Sequence, residues 1–98
     1  MNLMIQEIRW ATNRVSGETS RRTTATVSFD AKVGEIKELS NERRIFAVDA
    51  VDEDSVTLTV RYPSNPTADT VITVKAGESE TYAPRSFGAG YIYQITLK

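Results

Sequence analysis

Few residue types in this 98-residue chain could perform catalysis, because it contains no histidine and no cysteine. Histidine is the side chain that most readily transfers protons near neutral pH, and cysteine is the strongest common nucleophile and a ligand of zinc. Their absence excludes Ser-His-Asp and Cys-His catalysis, most zinc sites and every disulfide. We therefore expect no catalytic residue, no metal ion and no organic cofactor, and we predict that the protein is not an enzyme.

The thirteen carboxylates are the remaining groups that could bind a metal or transfer protons. The densest run is Asp52-Glu53-Asp54, which lacks the further oxygen ligands and the glycine of a calcium loop. Two carboxylates could also hydrolyse a glycosidic bond, but no spacing in the sequence singles out such a pair. A solvated turn between two strands explains the acidic run better.

The segment from Tyr82 to Tyr91 concentrates residue types that are common at binding surfaces. It holds three aromatic side chains, one arginine and two glycines within ten residues. Tyrosine and arginine are enriched among the residues that dominate interface energetics, and glycine permits unusual loop conformations. We select Trp10, Arg85, Phe87 and Tyr91 as candidate binding residues. In the alternative interpretation, the tyrosines belong to the core and Phe87 fills the loop.

Arginines recur beside the predicted strands, as the doublets Arg21-Arg22 and Arg43-Arg44 and as single residues. They could converge on one rim of the fold and hold phosphate or a carboxylate-rich partner. Alternatively, they keep strand ends soluble and protect sheet edges. The formal net charge of −1 predicts that matching acids lie close to these arginines.

Alternation of apolar and polar residues predicts the elements that position these side chains. Residues 24–29, 56–62 and 91–97 alternate with period two, which is typical of a strand with one buried face. Residues 45–51 are almost wholly apolar, which indicates a central strand. The acidic run that follows predicts a hairpin between 45–51 and 56–62.

Further strands are predicted at 2–10, 22–30, 70–75 and 79–82, with a polar loop over 11–20. The similar sequences Lys32-Val33-Gly34-Glu35 and Lys75-Ala76-Gly77-Glu78 should each open a short polar strand. No segment keeps a helical period. Turns are expected at 30–32 and 40–42, and the prolines in 62–67 exclude a central strand there.

Seven or eight short strands at this spacing predict an all-β fold, an antiparallel β-sandwich of the immunoglobulin-like or Greek-key type. A small β-barrel is the alternative. The length suits one domain over residues 1–98. The predicted core is apolar throughout and comprises Val27, Phe29, Phe46, Val48, Leu58, Val60, Ile95 and Leu97.

Charge and hydropathy limit the expected partners and location. Near-neutral charge argues against a bulk electrostatic partner such as nucleic acid or an anionic membrane. No apolar run is long enough to span a bilayer, and residues 1–10 do not resemble a signal peptide. We expect a soluble, cytoplasmic protein if the chain is the full gene product.

Residues 2–10 are unusual because apolar side chains point to both faces of the predicted strand. Leu3 and Ile5 share one face, whereas Met4, Ile8 and Trp10 share the other. Such a strand is either central or part of a subunit contact. Chain ends also tend to lie at sheet edges, where another strand can be added. We therefore predict a homodimer with strand 2–10 at or near its interface.

The leading functional prediction is a non-catalytic binding or assembly module that recognises a protein or a second copy of itself. The alternatives are a small barrel that binds single-stranded nucleic acid and a sandwich that binds carbohydrate. The surroundings of Trp10 discriminate between them. Aromatics in a basic groove favour nucleic acid, amides and carboxylates beside an aromatic favour sugar, and an apolar patch rimmed by arginine favours protein.

Overall fold

The computed structural model of the protein describes residues 1–39, 44–62 and 69–98. The eight strands in these ranges are β1 (Asn2–Thr12), β2 (Thr19–Asp30), β3 (Ile36–Leu39), β4 (Arg44–Val51), β5 (Ser55–Arg61), β6 (Thr70–Lys75), β7 (Ser79–Tyr82) and β8 (Ala89–Leu97). They form two antiparallel sheets, with strand orders β2-β1-β8-β7 and β3-β4-β5-β6. The sheets are not closed into a barrel, so the predicted β-sandwich is confirmed and the barrel alternative is not.

The core lies between the sheets and is built from every second residue of the central strands. Leu58 is fully buried, whereas Thr57 and Thr59 beside it are partly exposed on the outer face of the second sheet. Six of the eight predicted core residues are buried. Val27 and Phe29 are only partly buried, because they lie on β2, which is the edge strand of the first sheet.

The expectation that the first strand lies at a sheet edge is wrong. β1 pairs with β2 on one side and with β8 on the other, so its backbone groups are already used within the sheet. The edge strands are instead β2, β7, β3 and β6. The apolar residues on both faces of β1 agree with this central position, which the pattern itself allowed.

The first two strands are longer than predicted. β1 continues to Thr12 and β2 begins at Thr19, so the predicted loop over 11–20 shrinks to a tight turn from Asn13 to Glu18. The Asn13 side chain stabilises this turn by accepting hydrogen bonds from the backbone N–H groups of Val15 and Ser16. The sequence did not predict this part of the hairpin, because neither of its faces is buried and its polar residues therefore show no alternation.

The two Lys-x-Gly-Glu segments form equivalent turns. In each, the glutamate N–H donates to the lysine carbonyl at 3.0 Å, and the glycine has a φ near +85°, which favours glycine at the third position of a type II turn. The four-residue strand that follows each turn, β3 or β7, pairs with the next strand along the chain. The prediction of a short strand after each segment is confirmed.

The equivalence of the turns extends to the whole topology. Each strand of the first half has a counterpart four places later, so that β1 corresponds to β5 and β4 to β8. Exchanging every strand for its counterpart converts the order β2-β1-β8-β7 into β6-β5-β4-β3, which is the second sheet read in the opposite direction. Each sheet therefore combines one hairpin from the first half of the chain with one from the second half. The predicted hairpin 45–51 with 56–62 is the junction between the halves and is confirmed.

Two predictions fall outside the described residues: the turn at 40–42 and most of the proline segment at 62–67. Among the described residues, no helix is long and apolar enough to cross a bilayer.

We expect Leu58→Ala to lower the free energy of unfolding by about 2–5 kcal/mol, because it removes buried methyl groups and leaves a cavity. Thr57→Ala, its neighbour on the wet face, should cost far less. Urea denaturation of both variants measures the difference. Equal shifts of the two midpoints would contradict the observed alternation.

Candidate functional site

An apolar patch lies on the outer face of the first sheet, where a sandwich normally presents polar side chains to water. Ile8 pairs with Ile92 across β1 and β8, and Trp10 pairs with Gly90 in the next outward-facing position. All three large side chains are half-buried. We call Ile8, Trp10 and Ile92 the outer patch.

The loop before β8 borders this patch. A Cβ atom on Gly90 would lie 2.9 Å from Ser86 Cβ and 3.1 Å from Trp10 Nε1, so only glycine lets the loop and the indole approach the strand this closely. The loop is also tied to β1, because Thr12 N–H donates to the Gly88 carbonyl at 2.7 Å. Phe87, which lies between Ser86 and Gly88 in this loop, is 95% exposed.

A second feature is a small pocket of about 250 Å³ beside the same loop. Arg85 and Tyr91 line it, together with Arg44 and Tyr62 from the ends of β4 and β5. Arg44 is only 7% exposed, and its guanidinium carbon lies 4.0 Å from the centre of the Tyr62 ring. We call this the arginine pocket.

Three of the four candidate binding residues belong to these two features. Trp10 belongs to the outer patch, whereas Arg85 and Tyr91 line the arginine pocket. Phe87 does not fill the loop, since almost all of its surface is accessible. Sequence reasoning named the Arg43-Arg44 doublet as a possible anion site but did not select Arg44 as a binding residue, and it missed Tyr62. The doublet Arg43-Arg44 immediately before an apolar strand was the available signal.

Arginines also lie close to Trp10 on the hairpin of β1 and β2. A shallow cavity of about 380 Å³ is lined there by Arg9, Trp10, Arg21 and Arg22, with small side chains of Ala11 and Ser20 between them. The pairs Arg9–Arg22 and Trp10–Arg21 face each other across β1 and β2. Because side chains alternate between the two faces, Arg21 is the arginine of this group that shares the outer face with Trp10 and borders the outer patch.

Arginines and acids are unevenly distributed along the strands. At one end of the sandwich, β1 and β5 end and β2, β4 and β8 begin. We call this the arginine end, because every described arginine lies there: Arg9, Arg14, Arg21, Arg22, Arg44, Arg61 and Arg85. At the opposite end, which we call the acidic end, lie Asp30, Glu35, Asp52, Glu53, Asp54 and Glu78, mixed with Lys32, Lys75 and Lys98. Two described acids also lie at the arginine end: Glu18 in the β1–β2 turn and Asp69 beside Tyr62. The nine residues of β8 separate the two ends by about 26 Å.

The expectation that acids lie beside the arginines is therefore wrong for several of them. In the described ranges, the ion pairs are Met1 with Asp30 and Lys37 with Glu35, and none involves Arg9, Arg22 or Arg85. The near-zero net charge therefore does not show how unevenly the arginines and acids are distributed. Sequence cannot show this, because the arginines of one end come from five separate segments.

A buried carboxylate lies on the core side of the first sheet. Glu7 is 0% exposed and accepts hydrogen bonds from Thr24 Oγ1 at 2.7 Å and from the Tyr93 hydroxyl at 3.0 Å. Thr24 reaches it because the β1–β2 register shifts after Glu7, which leaves Thr24 outside the strand pairing. Tyr93 also packs on Phe46 and Tyr82, with ring centres 5.2 and 6.0 Å apart.

Tyr82 connects this network to the arginine pocket, because the Arg44 guanidinium lies 5.7 Å from its ring centre. Polar and aromatic groups therefore run from the middle of the core to the pocket. No group of three or more acidic side chains in the described part of the chain has a geometry that could hold a metal ion.

Comparisons of the chain with protein-family models, with curated proteins and with solved structures found no match.

Tyr93→Phe should lower the free energy of unfolding by about 1–3 kcal/mol, because the buried Glu7 carboxylate loses a hydrogen-bond donor. Thr26→Val removes a hydroxyl from an exposed position on β2 and should leave stability nearly unchanged. Thermal and urea denaturation measure both. Equal stability of the Tyr93 variant and the wild-type protein would show that this hydrogen bond contributes nothing.

Proposed function

We propose that the protein is a non-catalytic assembly module that binds a second copy of itself through the outer face of the first sheet. The observation that carries this proposal is the outer patch, because Ile8, Trp10 and Ile92 form an apolar surface where water would otherwise be expected. Tryptophan and arginine side by side are also typical of the residues that dominate binding energy at protein interfaces.

Contact through the face of β1 replaces the edge contact that the sequence favoured. β1 cannot accept an additional strand from a second copy, because it already pairs with β2 on one side and with β8 on the other. Its outward side chains remain accessible in part. The proposed homodimer therefore uses strand 2–10 by packing sheet on sheet.

The charge distribution supports a second copy as the partner. Ile8 and Ile92 lie near the middle of their strands. A two-fold axis through this point, in the interface plane and perpendicular to the strands, sets the copies antiparallel, so that the arginine end of each lies beside the acidic end of the other. The same patch then serves both copies without opposing arginine to arginine.

The available area fits a weak dimer. Four strands of about nine residues present roughly 570 Å² per copy, from their spacing and rise. Two such faces bury about 1,100 Å², near the lower limit for a specific interface. We therefore expect association in the micromolar range.

Single-stranded nucleic acid is a second candidate, favoured by the cavity in which Trp10 is surrounded by Arg9, Arg21 and Arg22. Guanidinium groups on phosphates and an aromatic side chain against a base would suit such a ligand. Binding of a fluorescent oligothymidylate that weakens with rising salt and on Arg22→Gln would favour this candidate. Carbohydrate gains no similar support, since the strand neighbours of Trp10 are Arg21 and Gly90.

Ile92→Lys should weaken self-association by about 100-fold or more, because the contact would bury an unpaired ammonium group. Ile8→Lys should do the same when made separately. Sedimentation velocity over a series from low to high micromolar concentration measures the effect.

Val71→Lys is the matched control, since it places the same charge at an exposed apolar position on the outer face of the second sheet. It should leave the dimer intact. A wild-type mass that stays monomeric at high micromolar concentration would refute self-association, as would equal weakening by the control.

A further inference from the structure

We propose that the open side of β2 binds an extended acidic segment of a partner protein, which adds to the first sheet as a further strand. β2 pairs with β1 on one side, and no strand pairs with its other side among the described residues. This edge runs for 12 residues, whereas the edge strands β3, β6 and β7 have four, six and four residues. A long edge presents a row of backbone N–H and C=O groups that can pair with another extended chain.

Two apolar side chains on the inner face of this edge are incompletely covered. Val27 and Phe29 are only partly buried, whereas Ile5 and Leu3, which pair with them on β1, are fully buried. Residues directly opposite each other on neighbouring strands share a face of the sheet. An added strand with an apolar residue at every second position would therefore cover both side chains.

Two arginines lie further along the same strand. Arg21 and Arg22 are exposed and adjacent, so their side chains point to opposite faces of the sheet. Neither forms an ion pair with a described residue. Two adjacent acids in an antiparallel added strand would place one carboxylate opposite each arginine, and opposite charges in this arrangement attract. The edge therefore suits a segment in which alternating apolar residues are followed by two acids.

A second copy of the chain matches this edge poorly. Asp30 is the one acid of β2, and it already pairs with the amino group of Met1 at 3.2 Å. β2 of another copy would bring two more arginines and no unpaired carboxylate. Nucleic acid could neutralise the arginines, but it has no peptide groups with which to extend a sheet. An acidic protein segment is the partner that matches the backbone edge, the apolar side chains and the arginines together.

The test is amide hydrogen exchange, measured by NMR on the whole chain with the acetylated and amidated peptide Val-Thr-Val-Thr-Val-Thr-Glu-Glu. An added antiparallel strand accepts hydrogen bonds from every second N–H group of its neighbour. We therefore expect exchange to slow at alternate residues of β2 and to stay unchanged in β6, an edge strand of the second sheet. At a peptide concentration of about ten times the dissociation constant, exchange should slow about tenfold, because only the free protein exchanges.

Methylation of the peptide nitrogens tests strand pairing separately from charge. One peptide is methylated at its odd-numbered residues and another at its even-numbered residues, so only one of them loses the N–H groups that face β2. That peptide should not bind, whereas the other should bind like the parent. A third peptide, with two lysines in place of the two glutamates, should bind at least about tenfold more weakly, since its charges repel Arg21 and Arg22.

The double variant Arg21→Gln, Arg22→Gln should weaken binding of the parent peptide by about four- to twentyfold, because two exposed cross-strand charge pairs are lost. The matched control is Arg61→Gln, Arg85→Gln, which removes two exposed arginines at the same end of the molecule but outside β2. It should change the affinity by less than about twofold. All four side chains are exposed, so both variants are expected to fold.

The proposal fails if the parent peptide leaves exchange in β2 unchanged, if both methylated peptides bind equally, or if the two double variants weaken binding equally. Slower exchange of β2 with hexathymidylate but not with the peptide would assign the edge to nucleic acid. Slower exchange on concentrating the free protein would assign it to a second copy. Ile92→Lys separates this edge from the self-association surface, because it should abolish the dimer and leave peptide binding unchanged.

Discussion

The pairing of the first strand with the last is the constraint on which the rest of the structure depends. It joins residues that lie 78 to 94 positions apart and fixes a continuous register from Leu3 with Leu97 to Ala11 with Ala89. On the inner side this register places apolar residues of both strands in the core. On the outer side it brings Trp10 against Gly90. The core and the outer patch therefore both depend on the pairing of β1 with β8, the core on its inner side and the outer patch on its outer side.

The strand order also explains how a nearly neutral chain becomes electrically polarised. Each half of the chain contributes one hairpin to each sheet, and the halves are joined by the acidic turn after β4. Turns at one end of the sandwich carry carboxylates and lysines, whereas strand ends and loops at the other end carry arginines. Because the two ends are about 26 Å apart, well beyond the Debye length of about 8 Å at physiological salt, their fields do not cancel locally.

The core changes character towards the arginine end. Its middle consists of close-packed aliphatic side chains, but beyond Ile5 and Ile95 come Glu7 and Tyr93, then the stack of Tyr82, Arg44 and Tyr62. Buried polar groups require matched partners, so they restrict the positions that side chains can adopt more strongly than aliphatic packing does. The arginine pocket thus rests on a base that holds Arg44 in a defined position.

Local pattern alone determined much of the fold. Period-two alternation identified the strands around Leu58 and Ile95, most of the core and the central hairpin, because the pleat itself imposes that alternation. Residue type, rather than alternation, selected Trp10, Arg85 and Tyr91, but it predicted one surface where the structure has two. The central position of β1, the burial of Glu7 and the separation of arginines from acids followed only from tertiary structure. These features depend on which distant strands become neighbours, and alternation along one strand carries no information about its neighbours.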